Sequence, residues 1–200
     1  MKKVVFSGLL VLLSSVSAVQ AGEVIVRGRA IAVMPDESST SVLSSVHTGV
    51  SNQVVPELDV TYMLTKNIGT ELILGTARHG LSSDLGNLGR VSLLPPTLTV
   101  QYHFAPDAKI RPYVGVGVNY TRFYRNDLNV GGAPVSIKKN SFGLAAQVGA
   151  DVMLNDTYFL NVDVKYIGVK TKASLGGTSL GTLKVNPWVV GVGVGRKFSF

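Results

Sequence analysis

From Trp188 to Phe200 the chain alternates residue by residue. Trp188, Val190, Val192, Val194, Phe198 and Phe200 fall on one face, and Val189, Gly191, Gly193, Gly195, Lys197 and Ser199 on the other. Arg196 is the single intruder on the apolar side. A period of two is the signature of a strand with one apolar and one small or polar face. Such a strand can persist only where its two faces meet two different surroundings.

The same pattern recurs along the chain and predicts strands at about residues 23–34, 54–65, 68–77, 94–104, 110–123, 141–154, 157–167 and 188–200. Lys66-Asn67, Ala105-Pro106-Asp107-Ala108 and Asn155-Asp156 read as tight turns. Residues 36–53, 78–91, 124–140 and 168–181 are rich in Ser, Thr, Gly and charge, and read as long loops. Connections therefore run long, short, long, short, long, short, long. The fold class this predicts is all-β: an eight-stranded antiparallel transmembrane β-barrel with four long external loops and three short periplasmic turns. Both termini then lie in the periplasm, and strands of about ten residues cross the membrane when tilted. Tyr62, Tyr102, Phe104, Tyr158, Phe198 and Phe200 gather near the turn side, as an interfacial girdle does.

The N-terminus suits an exported protein. Lys2 and Lys3 precede a mostly apolar run from Val4 to Val16 and a small-residue site at Val19-Gln20-Ala21. At about 13 residues that run is short of the roughly 20 needed to span hydrocarbon, so it reads as a leader cleaved after Ala21. Residues 22–200 would form one barrel domain. Closing the last strand on Phe200 resembles the assembly signal of bacterial outer-membrane barrels, which makes the barrel assembly machinery an expected partner.

Composition narrows the chemistry. With no cysteine, disulfides, thiolate catalysis and cysteine metal sites are excluded. Loss of the leader removes two of 19 basic residues against 12 acidic ones. The remaining excess is scattered, which argues against nucleic acid and suits anionic lipid head groups or lipopolysaccharide. Apolar residues make up 46% of the chain, yet they are dispersed in alternation and form no mature run long enough for a membrane helix.

Alternation alone does not say which face is outside, and a soluble lipocalin-like barrel would alternate too. The narrow, glycine-rich face carries Arg27, Glu57, Asp59, Glu71, Asp151, Asp163 and Lys165. Charges of both signs on that face can pair in a lumen, which favours the membrane barrel. In eight strands side chains nearly fill the interior, so a wide aqueous pore is not expected.

Several strings are similar to the OmpW family: Asn67-Ile68-Gly69-Thr70-Glu71-Leu72, Pro95-Pro96-Thr97-Leu98, residues 111–121 (RPYVGVGVNYT) and Asn186-Pro187-Trp188-Val189-Val190-Gly191. The resemblance covers essentially the whole mature chain. It implies an eight-stranded outer-membrane barrel of Gram-negative bacteria with a narrow, porin-like hydrophobic channel for small apolar molecules. Some members are related to alkane uptake.

The residues themselves echo this. Inward apolar side chains cluster in the outer half, at Ile31, Val33, Phe123, Ile167 and Val189, while inward charges lie mostly lower, with Glu57 the exception. That predicts an apolar ligand pocket open to the loops above a polar plug; the plainer alternative is that these side chains only pack on one another. Pro56, Pro95, Pro96 and Pro187 sit near the outer starts of descending strands. Proline cannot donate to a ladder, so each either marks a strand start or opens a lateral gap through which an apolar solute leaves into the membrane.

Enzymatic activity, the main rival class, is not expected. Of His47, His79 and His103, none stands near a Ser at a spacing that suggests a dyad. No metal site or cofactor is expected, because the histidines lie on separate segments. Gly115-Val116-Gly117 and Gly191-Val192-Gly193 fall inside strands with no helix following, so they are not phosphate loops. The other open function is recognition, with the loops serving as adhesin or as phage or bacteriocin receptor. A closed barrel offers no edge, so a monomer is expected.

Overall fold

Turn chemistry sets the register. Thr65 Oγ1 accepts hydrogen bonds from the Asn67 and Ile68 amides at 3.2 and 2.9 Å, and Asn155 Oδ1 accepts from Thr157 and Tyr158 at 2.9 and 2.8 Å. These are the local side-chain turns that Thr and Asn favour. In the computed structural model, residues 22–84 and 86–199 are described. The leader with its cleavage site, and the terminal Phe200, lie outside them.

Eight strands close on one another: β1 (Glu23–Met34), β2 (Gln53–Met63), β3 (Ile68–Gly75), β4 (Thr97–His103), β5 (Ile110–Asn126), β6 (Asn140–Met153), β7 (Tyr158–Ile167) and β8 (Trp188–Ser199). Each pairs antiparallel with its sequence neighbour. The ring closes where β1 pairs with β8 from Glu23↔Ser199 to Met34↔Trp188. The sheet has no open edge, the condition for a sheet to sit in lipid with its backbone groups paired.

The orientation of the faces is the membrane one. Val116 and Leu144 point outward, 68% and 76% exposed, whereas Arg27, Asp59 and Glu71 are 0% exposed inside. A soluble barrel would invert this. Aromatic contacts mark both rims. At the turn end Tyr102 packs edge-on against Phe104 at 5.1 Å. There the intruding Arg196 lies over the rings of Tyr158 and Phe198, at 5.5 and 4.6 Å, which gives its charge a partner at the interface. At the loop end Tyr120 meets Phe142 and Tyr166 meets Trp188.

The predicted long loops prove largely structured, which corrects the sequence reading. Ala77–Ser83 and Gly86–Leu94 form a hairpin that continues β3 and β4 upward. Lys170–Leu175 and Thr178–Val185 do the same above β7 and β8. A second sheet links Asn129–Val130, Ala133–Ile137, that latter hairpin and Glu37–Ser39, and a short helix, Val42–Ser45, lies in the first connection. These segments hold together because their inward residues, among them Leu81, Val135, Ala173 and Leu183, join one apolar cluster with the barrel mouth. Turn residues broke the alternation into pieces too short to read as strands. β5, at 17 residues and about 3.3 Å per residue, projects well past the bilayer and supports the Gly86–Leu94 strand.

One exposed contact clips the helical connection to the first hairpin: His47 Nδ1 lies 2.6 Å from Asp84 Oδ2. The hydrogen bond to Asp84, and then its charge, raise the His47 pKa above 6.5. A raised folded-state value means the clip is complete below the ordinary histidine pKa and is lost as pH rises through the raised one. Asp84→Asn should return the His47 titration towards its ordinary midpoint, as followed by the ring proton shifts.

Candidate functional site

The inward residues of a single strand show how the lumen is layered. β1 contributes Ile25, then Arg27 and Arg29, then Ile31 and Val33; β7 contributes Phe159, then Asn161, Asp163 and Lys165, then Ile167. β2 and β6 repeat the order from Met63 and Met153 upward. In a closed barrel these layers stack, so the alternation of eight strands becomes an apolar floor, a charged plug and an apolar upper chamber.

The plug is a connected network. Arg27 Nε and Nη2 donate to the two Asp151 carboxylate oxygens at 3.1 and 2.8 Å. Its Nη1 donates to Asp59 Oδ1 at 3.2 Å and Thr61 Oγ1 at 2.8 Å. Arg29 reaches Glu57 at 2.9 Å and Asn161 at 2.7 Å. Lys165 Nζ donates to both Glu57 and Asp163 at 2.7 Å, and Gln147 donates to Glu71 at 2.6 Å. Tyr113, 0% exposed, donates to Asp163. Five carboxylates thus share three cations with almost no solvent contact. Inward glycines make the room: a Cβ on Gly149 would run into the Tyr113 ring, and one on Gly195 into Phe159. Arg27 lies over both of those rings.

Below the plug, Ile25, Met63, Met153 and Phe159 form a second apolar layer beside a mixed-polarity cavity of about 250 Å³ at the turn end. The sequence reading confined inward apolar residues to the outer half and so missed this layer. Its signal was present, since Met63 and Met153 fall on the inward face just before turns.

Above the plug, Ile31, Val33, Phe123, Ile167 and Val189 are all buried in one apolar cluster. Four of them, Ile31, Val33, Ile167 and Val189, line a cavity of about 60 Å³ whose floor includes Glu57 and Thr97 of the plug. Phe123 lines a second, almost wholly apolar cavity of about 200 Å³ under the helix at Val42–Ser45. His79 and Val185 line both, so the two cavities abut there. The larger cavity is built mainly by Leu81, Leu88, Leu128, Val135 and Leu183 from the connections; reading those segments as plain loops concealed it.

The four prolines do not stand alike. At Pro187 the ladder is bridged: the Ile167 amide donates to the Pro187 carbonyl at 3.2 Å, and Val185 to Val169 at 2.8 Å. Pro95 and Pro96 flank an interruption. Backbone pairing of β3 with β4 ends at Ile73↔Thr97 and resumes only at Ala77↔Leu93, with the Thr76 hydroxyl donating across to the Leu93 carbonyl at 3.2 Å. Tyr120 still donates to the Pro96 carbonyl on the other side. Pro56 remains in register with Ala30, but the pairing of β2 with β3 stops one residue below it, at Glu57↔Gly75. Pro56, Pro95 and Pro96 thus surround the same short stretch, Gly75-Thr76-Ala77, and all three of its residues line the smaller cavity.

Of the histidines, His47 is exposed, His79 is buried in the apolar chamber, and His103 packs on Tyr113 beside the lower cavity. Among the described residues no cluster of three or more His, Asp or Glu is placed to hold a metal ion. Removing one side of the plug should be severe: Arg27→Met should cost about 3–5 kcal/mol, because it strands buried carboxylates. Adding Asp151→Leu should recover part of that loss, a coupling that urea unfolding in lipid can measure.

Residues 20–198 match the OmpW family. Outer membrane protein W of Escherichia coli (strain K12) is 36% identical, covering 99% of this chain and 100% of that protein. The protein of the same name from Vibrio cholerae is 38% identical, with 92% of each covered. Among solved structures, the outer membrane protein OprG from Pseudomonas aeruginosa superposes with a TM-score of 0.79 at 30% identity, over 92% of this chain and 100% of that one. A family match over nearly the whole chain, on a closed eight-stranded ring with a lipid-type outer face, is decisive: this chain belongs to the OmpW family of outer-membrane β-barrel proteins.

Proposed function

We propose that this barrel takes up small hydrophobic molecules from the loop side and releases them sideways into the membrane. The observation that carries the reading is the course of the apolar cavities. They run from beneath the helix at Val42–Ser45 to the wall at Gly75-Thr76-Ala77, where one ladder ends at Gly75 and the other resumes at Ala77, and they stop below at the plug. An apolar solute gains from leaving water as it enters, but crossing a layer of buried ion pairs would strip those ions of their partners. The lower-cost exit is the interrupted ladder, where few backbone bonds must be broken. In this reading the turns and termini lie in the periplasm and the capped mouth among lipopolysaccharide. The chain acts as a monomer without cofactor or catalysis.

The reading is tested by uptake of a small apolar tracer into lipid vesicles holding the refolded protein. Wild type should exceed protein-free vesicles, and Phe123→Lys and Ile167→Lys should each remove most of the excess while retaining heat-modifiable barrel mobility on gels. Uptake equal to empty vesicles would sink the channel and shift the weight to recognition by the capping segments. For the lateral exit, amides at residues 75–76 should exchange with deuterium well ahead of those at 70–74. Deep protection across both would exclude that route.

A further inference from the structure

The larger apolar cavity presents almost no polar surface, yet one ionisable ring is buried between it and the smaller one. His79 is 3% exposed and lines both cavities. Its ring is fixed by the strand of residues beside it. Nδ1 lies 2.7 Å from the Ser51 carbonyl oxygen, the Ser51 amide donates to the Gly80 carbonyl at 3.0 Å, and the Gly80 amide donates to Ser51 Oγ at 2.9 Å. A carbonyl can only accept, so Nδ1 must carry the hydrogen. In a neutral imidazole the other nitrogen is then a bare acceptor.

The hydrogen bond of His79 runs through Nδ1, and none to Nε2 is found among the described residues. The fully enclosed side-chain atoms without a partner there are Asp59 Oδ2, Gln101 Nε2 and Gln147 Oε1, so His79 Nε2 keeps some open surface beside the cavities. Two of the hydroxyls that line the chamber are already committed: Thr48 donates to the Leu43 carbonyl and Thr171 to the Lys138 carbonyl. At the smaller cavity's floor Thr97 donates to the Pro95 carbonyl, and Glu57 is held by Arg29 and Lys165. A buried acceptor left unpaired costs free energy that a ligand can recover. Apolar pockets with one or two placed polar groups use them to orient what they bind.

We propose that His79 Nε2 is a ligand-binding atom, and that the chamber selects apolar molecules carrying one hydrogen-bond donor, aliphatic or aromatic alcohols, over hydrocarbons and ethers of the same shape. Burial lowers the His79 pKa, partly offset by the Ser51 carbonyl, which keeps the ring neutral and Nε2 free to accept near neutral pH. The tail of such a ligand lies among Leu81, Val91 and Phe123, and its hydroxyl sits where the two cavities meet. This inference rests on the uptake reading above and adds to it the chemistry of the solute.

The test compares octanol with heptyl methyl ether, which has the same length and lacks the donor, on the full chain in lipid nanodiscs. Methyl signals of Leu81 and Val91 report entry, and the imidazole nitrogen signals of His79 report the contact. Both probes should perturb the methyls, only octanol should shift Nε2, and octanol should bind roughly two- to tenfold tighter, the worth of one net hydrogen bond. His79→Phe should bring that ratio to about one while still admitting both probes. Equal affinities in wild type with Nε2 unmoved would overturn this inference and leave the apolar pathway standing. Methyls undisturbed by either probe would overturn both. The nitrogen shifts are read in the unaltered protein, so the result does not depend on the variant folding.

Discussion

Every feature of this molecule follows from the cost of an unpaired backbone amide in hydrocarbon. No water is available there to accept an N–H or donate to a C=O, so a sheet must pair every strand on both sides. Closure of β1 on β8 along the whole length of β1 meets that demand. Closure in turn makes one face of every strand a wall towards lipid and the other a lumen. The residue-by-residue alternation is the consequence.

A lumen eight strands wide has little room, and its side chains settle among themselves what remains. Charges placed there cannot reach water, so they must find one another. Arg27, Arg29 and Lys165 each contact more than one carboxylate, and Tyr113, Gln147 and Asn161 take part in the same network. Replacing such networks by apolar packing often leaves stability unchanged, so their presence points to another role. In the proposed uptake they would close the barrel to solutes that cannot replace those partners, with the chamber taking in apolar matter and the plug denying it a straight path.

The wall is weakest where the ladder lacks donors. Three prolines around Gly75-Thr76-Ala77 leave a short stretch in which pairing lapses on both flanks. Pro187, on the opposite side of the sequence, causes no comparable lapse because neighbouring amides bridge it. Proline alone therefore does not interrupt a ladder; what matters is whether the adjoining strand supplies a backbone amide within reach, as Ile167 does at Pro187, or only a side chain, as Thr76 does opposite Leu93.

Much of this was legible in the residues themselves. The alternation from Trp188 onward, the turn chemistry of Thr65 and Asn155, and the inward positions of Ile31, Val33, Phe123, Ile167 and Val189 need no coordinates, because strand geometry has a fixed period of two. The capping hairpins were not legible. Leu81, Leu88, Val135 and Ala173 lie in short stretches broken by turn residues, and such stretches become strands only when an established neighbour, such as the overlong β5, offers them a ladder. Nor could any local pattern reveal which proline faces a gap, or that His79 would be held by Ser51 between two cavities. The sequence by itself determined the class of fold, through periodicity along each strand, the lipid-facing side, through the charges of both signs on the other face, and the order of the upper two layers of the lumen. Only the tertiary structure decided the two abutting cavities, the interrupted ladder beside Thr76 and the place of His79 between them, because each depends on residues far apart in the chain meeting across the closed ring.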